Sequence, residues 1–177
     1  HPDHVTLAHK ANILKNPSGL FLDVGNEVAA DYPEIAYDDR IIDNLCMQLV
    51  NSPEEYDCIV STNLFGDILS DLTAGLVGGL GVTPGANIGD GLAVFEAVHG
   101  SAPDMAGQNA ANPTAMIRTA GMMLQHIGEP EAAAAIERAL FATYQEGEVL
   151  TRDVGGDAST SEFADALSDR VGHDVVI

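Results

Sequence analysis

The chain has 177 residues, 46% of them hydrophobic, and sets 27 acids against seven lysines and arginines for a formal net charge of −20. That content supports a packed core in one domain or two small ones, and acids spread through periodic segments exclude a disordered acidic tail. With no basic stripe, nucleic acid and anionic membrane are excluded as partners, and the most apolar span, residues 72–88, is too broken by glycines and Pro84 for a membrane helix.

Taken in chain order, residues 4–7 read as extended and residues 19–32 as a helix with Leu20, Val24, Val28 and Ala29 on its buried side. Residues 35–42 read as extended again, and residues 43–50 as a short helix stopped before Pro53. Residues 56–60, with Cys58 and Ile59, have the look of a fully buried parallel strand. A helix starting near Gly66 then dissolves into Gly78-Gly79-Leu80-Gly81, and the glycine-rich connection through Gly91 is the candidate domain junction. Asn112 followed by Pro113 predicts a capped helix start, with Met116, Ile117, Ala120, Met123, Leu124 and Ile127 recurring at helical spacing. Residues 131–146 form a second helical pattern. Ser159 and Glu162 have capping-box spacing at the head of a last helix through Arg170. Strands mixed with helices predict an α/β layer architecture.

Two cysteines, Cys46 and Cys58, are too few for a disulfide framework or a zinc site, and read as reduced, mostly buried thiols of a cytoplasmic protein. The opening His1-Pro2-Asp3-His4 has neither the charge nor the apolar core of a leader, and without an initiator Met it is expected to start in mid-protein. Acids everywhere with only Lys10 and Lys15 as lysines point to a surface adapted to high salt, with an ordinary acidic protein as the alternative. The high-salt reading predicts a melting temperature that rises from dilute buffer to molar KCl, where the Debye length falls to about 3 Å. A melting temperature that stays flat across that range would sink it.

Several residues could carry chemistry. Asp67 and Asp71, in Ser61-Thr62-Asn63-Leu64-Phe65-Gly66-Asp67-Ile68-Leu69-Ser70-Asp71, lie at i and i+4 and so share a helix face from which both can reach one cation. On the residues alone, a dipole-friendly Asp67 and a solvated Asp71 explain the pair equally well. Asp43, in Ile41-Ile42-Asp43-Asn44-Leu45-Cys46-Met47-Gln48, reads as a helix N-cap. Lys10, in His9-Lys10-Ala11-Asn12, reads as an exposed lysine at a strand end, although a chain nearly purged of lysine retains it.

Together with Glu96-Ala97-Val98-His99-Gly100-Ser101-Ala102-Pro103-Asp104, Asn112-Pro113 and Thr151-Arg152-Asp153-Val154-Gly155-Gly156, these segments resemble the β-decarboxylating dehydrogenases, the isocitrate/isopropylmalate dehydrogenase family. The resemblance implies the C-terminal portion of that α/β fold, a mixed sheet flanked by helices. Residues 1–77 would belong to the smaller dimerisation and substrate domain, and residues 78–177 to the larger dinucleotide-binding domain. It implies Lys10 as the group that assists proton removal from the substrate hydroxyl, a role open to lysine when desolvation lowers its pKa. Asp43 would be proton acceptor or metal ligand, and Asp67 and Asp71 ligands of Mg²⁺ or Mn²⁺, hard cations that accept carboxylates together with substrate oxygens and water. Lys10 and Asp43 would serve the neighbouring subunit, which implies a homodimer or higher oligomer with shared active sites.

By the same resemblance His99, Gly100, Ser101, Ala102, Pro103 and Asp104 form the loop that holds adenosine, with Asn112 near the adenine. A loop histidine at His99 and simple capping by Asn112 are the plainer readings. An acid at Asp104 suits a ribose 2′-hydroxyl and repels a 2′-phosphate. NADP-using relatives carry a lysine and tyrosine where this chain has Asp104 and Met105, so the cofactor implied is NAD. The runs Leu72-Thr73-Ala74-Gly75-Leu76-Val77 and Pro84-Gly85-Ala86-Asn87-Ile88-Gly89 look more like NAD-linked isocitrate enzymes than 3-isopropylmalate ones. A small-molecule hydroxy acid is then the substrate, isocitrate before 3-isopropylmalate or homoisocitrate; a non-catalytic regulatory or truncated subunit is the alternative of another class. Family chains are about twice this long, and the half not represented here carries the arginines that bind substrate carboxylates, the segment that recognises the γ-substituent and a tyrosine acid.

Overall fold

Val5, Leu7 and His9 alternate with Thr6 and Ala8, so the first strand, β1 (His4–His9), has two faces to bury. It is the middle of a parallel sheet in the order β2-β1-β3, with β2 (Ala36–Ile41) registered His4 to Ala36 and β3 (Cys58–Ser61) registered Val5 to Cys58. Parallel neighbours require crossovers. These are α1 (Pro17–Ala29) between β1 and β2, and α2 (Ile42–Asn51) between β2 and β3. On the Ala8 face, α2 and α3 (Asn63–Leu76) close a core of Ala8, Ile42, Leu45, Leu49 and Leu69, with Tyr56, Ile59, Phe65 and Leu72 packed around it. On the opposite face α1 approaches β1 through Gly25, where any Cβ would collide with the Leu7 side chain. The computed structural model describes residues 2–174 and divides the chain into two units between Leu76 and Val77.

Several expectations for the first unit need correction. The helix α1 forms, but the residue it buries is Ser18; Leu20 is exposed, as are Val24 (46%) and Val28 (51%). Val24 and Val28 line an open apolar groove of about 280 Å³ together with Val5, Leu7, Tyr37 and Val60. Periodicity identifies residues that share a face, and nothing in it says whether the surface that covers this face lies in the same unit. Strand β3 is parallel but sits at the sheet edge, so Cys58 and Ile59 are half-buried and Val60 is exposed. Both cysteines are free and half-buried. Finally, α2 is capped by Ile41, which places Asp43 in the first turn, and α3 begins at Asn63, three residues ahead of Gly66.

The second unit opens on Gly78 and Gly79, with φ of 114° and 104°, values that a side chain would strain. What read as a loop through Gly91 is in large part a hairpin of β4 (Pro84–Ile88) and β5 (Ala93–Ala97), paired antiparallel from Pro84 with Ala97 to Ile88 with Ala93. Three helices follow: α4 (Thr114–His126), α5 (Pro130–Glu146) and α6 (Thr160–Asp174). Their core is Ala139, Leu140, Phe163 and Leu167. The buried positions of α4 are Thr114, Ala115, Thr119 and Gly121, whereas Met116 (54%), Met123 and Ile127 are exposed. The physical reason is close packing: α5 buries Ala133, Ala135 and Ala139, and small residues let helix backbones approach where Met would hold them apart. Buried Thr119 and Thr143 satisfy their hydroxyls on the carbonyls of Ala115 and Ala139, at 2.8 and 2.9 Å. The Ser159 and Glu162 capping box forms as read: the Ser159 N–H donates to Glu162 Oε2 (2.8 Å), and the Glu162 N–H to Ser159 Oγ (3.3 Å). No described helix is long and apolar enough to cross a membrane.

Candidate active site

In the first unit the sheet register makes the site. Because His9 pairs with Ile41, the residues just beyond them converge at the carboxyl ends of β1 and β2. Lys10 follows β1, Asp43 sits in the first turn of α2, and the Lys10 Nζ donates a short hydrogen bond to Asp43 Oδ1. This bond, then one from the Asp43 main chain, holds the Asp43 carboxyl below its usual range. His9 fixes the turn that carries Lys10. Its Nδ1 accepts the Ala11 N–H at 3.0 Å, so the ring proton of the neutral form is on Nε2, which donates to Asp39 Oδ2 at 2.8 Å. The Lys10 carbonyl in turn accepts the N–H groups of Ile13 and Leu14 at 3.0 and 2.8 Å. The sequence reading missed His9 and Asp39; the His-Lys pairing at a strand end was the available signal.

Asp67 and Asp71 are exposed on α3, and neither carboxylate has a partner among the described residues. Two unneutralised hard oxygen donors one turn apart fit a divalent cation. No cluster of three potential metal ligands occurs among the described residues, so Asp43 does not join the Asp67 and Asp71 pair within one chain.

In the second unit an open pocket of about 1050 Å³ is lined by His99, Gly100, Ser101, Ala102, Met105 and Asn112, joined by Arg152, Asp153 and Thr160 from far along the chain. Pro103 and Asp104 stand in the 3-10 turn Pro103–Met105 and are not part of the lining; Asp104 is exposed, next to Met105. Ala102 adopts a left-handed φ of 40°, which turns the loop, and His99 Nδ1 lies 3.0 Å from the Gly100 carbonyl. The α4 helix starts at Thr114, one residue later than predicted, with Pro113 instead of Asn112 at the N-cap and no side-chain cap bond; Asn112 stands one residue ahead, its Oδ1 accepting the Thr114 N–H at 3.0 Å. The Asn112 amide also donates to Asp153 Oδ2 (2.9 Å) and the Tyr144 hydroxyl (3.2 Å). Asp153 and Tyr144 were given no role from sequence, because only the fold brings them to Asn112.

The first unit thus carries a lysine–aspartate pair at the end of a parallel sheet and a free acid pair on a helix, and the second a loop-walled pocket. The chain belongs to the isocitrate/isopropylmalate dehydrogenase family, whose model it matches over residues 1–167. It is 57% identical over 161 residues to an isocitrate/homoisocitrate dehydrogenase of Thermus thermophilus, covering 91% of this chain and 48% of that protein. Against a 3-isopropylmalate dehydrogenase of Archaeoglobus fulgidus it is 56% identical over 164 residues, covering 93% and 50%. The crystal structure of an isocitrate dehydrogenase from Methylococcus capsulatus superposes with a TM-score of 0.90 at 57% identity, covering 96% of this chain and 50% of that one. The chain thus spans about half the length of the curated relatives it matches.

Proposed function

We propose that this chain is half of the catalytic machinery of an NAD-dependent decarboxylating dehydrogenase that converts a 2-hydroxy acid, isocitrate first, to its 2-oxo product, 2-oxoglutarate, with Mg²⁺ or Mn²⁺. Relatives named for isocitrate, homoisocitrate and 3-isopropylmalate support the reaction class, and 3-isopropylmalate and homoisocitrate are the alternative substrates. The observation that carries the reading is the Lys10–Asp43 pair, formed at the carboxyl end of the sheet in a chain with almost no other lysine. A non-catalytic subunit would have no need of it.

Asp67 and Asp71 would hold the cation, which when bound would supply Lewis acidity toward the hydroxyl and carboxylate oxygens of the substrate. Lys10 Nζ would assist removal of the proton from the substrate hydroxyl, with Asp43, hydrogen-bonded to that Nζ, holding it in place. The pocket lined by His99, Gly100, Ser101 and Ala102 would hold the adenosine of NAD, with Asn112 beside the adenine and Pro103 and Asp104 closing its rim. Because Asp43 lies apart from Asp67 and Asp71 within one chain, it would reach their cation from a second copy, so the reading includes a dimer with shared sites. Exposed Met47 and Val50 on α2, and Leu64 and Ile68 on α3, supply apolar surface for that association.

Cofactor choice is the test. In the complete enzyme NAD is expected to be preferred over NADP, and Asp104→Lys with Met105→Tyr should narrow the ratio about tenfold or more, the worth of one charge-assisted hydrogen bond to a 2′-phosphate. Equal kcat/KM for both cofactors in the unmodified enzyme would overturn the assignment.

A further inference from the structure

We propose that Asp153 is a positioning residue for the nucleotide pocket: its carboxylate fixes the Asn112 amide, and so sets the pocket wall that Asn112 ends. The inference rests on the adenosine reading of the pocket and assigns the role of a residue outside the motif loop.

The Asn112 amide is fully committed to the protein. Its two N–H groups go to Asp153 Oδ2 (2.9 Å) and the Tyr144 hydroxyl (3.2 Å), while its oxygen accepts the Thr114 N–H (3.0 Å). The groups Asn112 can still offer are its main-chain N–H and C=O, which have no hydrogen-bond partner among the described residues. The side chain therefore serves to aim the backbone. Asp153 is itself held from behind, its Oδ1 accepting the hydroxyl of fully buried Thr151 at 2.6 Å. The Tyr144 hydroxyl lies 2.7 Å from Thr114 Oγ1, and its ring stacks on buried Phe163 with centroids 5.7 Å apart, so the network is rooted in the helical core. The rest of the wall is tied to the start of α6: Thr160 donates its N–H to the Asn109 carbonyl (2.9 Å) and its hydroxyl to the Ala111 carbonyl (2.6 Å).

The need for an acid at 153 follows from the donors. Asn112 presents one N–H toward it and Thr151 its hydroxyl, and a carboxylate accepts both at once, each as a charge-assisted bond. An amide at 153 has a single acceptor oxygen: given to Thr151, it turns an N–H against that of Asn112, and given to Asn112, it leaves a neutral bond in place of the charge-assisted one.

The experiment is calorimetric titration of the 177-residue chain with AMP and with adenosine, alongside melting by circular dichroism. Asp153→Asn is expected to weaken binding about tenfold or more, the scale of one charge-assisted hydrogen bond, with a smaller effect on melting. The exchanged pair, Asn112→Asp with Asp153→Asn, restores an acceptor facing a donor, keeps the bond from the Thr114 N–H and the net charge, and should recover affinity to within about threefold of the parent. Should Asp153→Asn fail to fold, the exchanged pair decides alone: folded and binding supports the proposal, folded and not binding overturns it. Parent-like affinity in Asp153→Asn, even with a lowered melting temperature, overturns the proposal and leaves the pocket reading standing. A parent chain that binds neither AMP nor adenosine overturns the pocket reading, and this proposal with it.

Discussion

The 177-residue chain, purified alone with isocitrate, NAD and Mn²⁺, is expected to produce no measurable NADH. Its residues can supply a base, a cation site and a nucleotide pocket, yet nothing in it can orient a tricarboxylate. Of its five arginines, Arg40 is paired with Asp38 at 2.7 Å, Arg118 with Glu137 at 3.1 Å and the Val82 carbonyl, and Arg170 with Glu146 at 2.8 Å. Arg138 is engaged as well, and Arg152 lines the pocket of the second unit. Among the described residues these arginines form no cluster that could clamp substrate carboxylates. Positioning is worth about 7–11 kcal/mol of barrier, so its loss removes orders of magnitude from the rate. Adding the separately expressed uncovered half of the Thermus thermophilus relative should restore turnover if the two pieces associate. Sustained NADH formation by the chain alone would place the substrate site within these residues and overturn the proposed division of labour.

What was legible in the sequence was local. Residue type and spacing over four positions were enough for the Ser159–Glu162 box, because each bond closes within a turn, and they placed the start of α4 to within one residue. The strands and helices of the first unit were also legible, since β-rich runs alternate there with amphipathic ones. Burial was not: Val24, Val28 and Val60 are apolar residues of the right period, and their exposure is decided by what packs on them. In α4 the large residues drew attention while Thr114, Ala115 and Thr119 made the contact, because close helix packing rewards small side chains. The β4–β5 hairpin was hidden by Pro84, Gly85 and Asn87, which are poor strand formers; the Asp90-Gly91 pair was the turn signal available. Site residues that belong to one motif could be found by reading. His9 with Asp39, and Asn112 with Asp153 and Tyr144, are bonds across 30 or more positions that only the fold creates.

In the completed enzyme, Lys10→Met is expected to lower kcat by about 10²–10⁴-fold, the usual worth of a positioned acid-base group, with little change in KM for NAD. The substitution preserves most of the side chain's length and apolar stem and removes the charge and the donor. Its nearest consequence is on Asp43, whose carboxyl is held down first by the Lys10 hydrogen bond. Without that bond, the Asp43 titration followed by carboxyl NMR should move up toward the ordinary aspartate range. The sign on stability follows: a carboxyl depressed in the folded state contributes above its unfolded pKa, and the contribution is lost as pH falls through the folded value. Acid unfolding should therefore differ between Lys10→Met and its parent above that window and converge below it. The two readouts separate the roles. An Asp43 titration that moves while kcat stays within twofold of the parent would leave Lys10 as a partner for Asp43 alone, and the proton transfer assigned to Nζ would have to be given up.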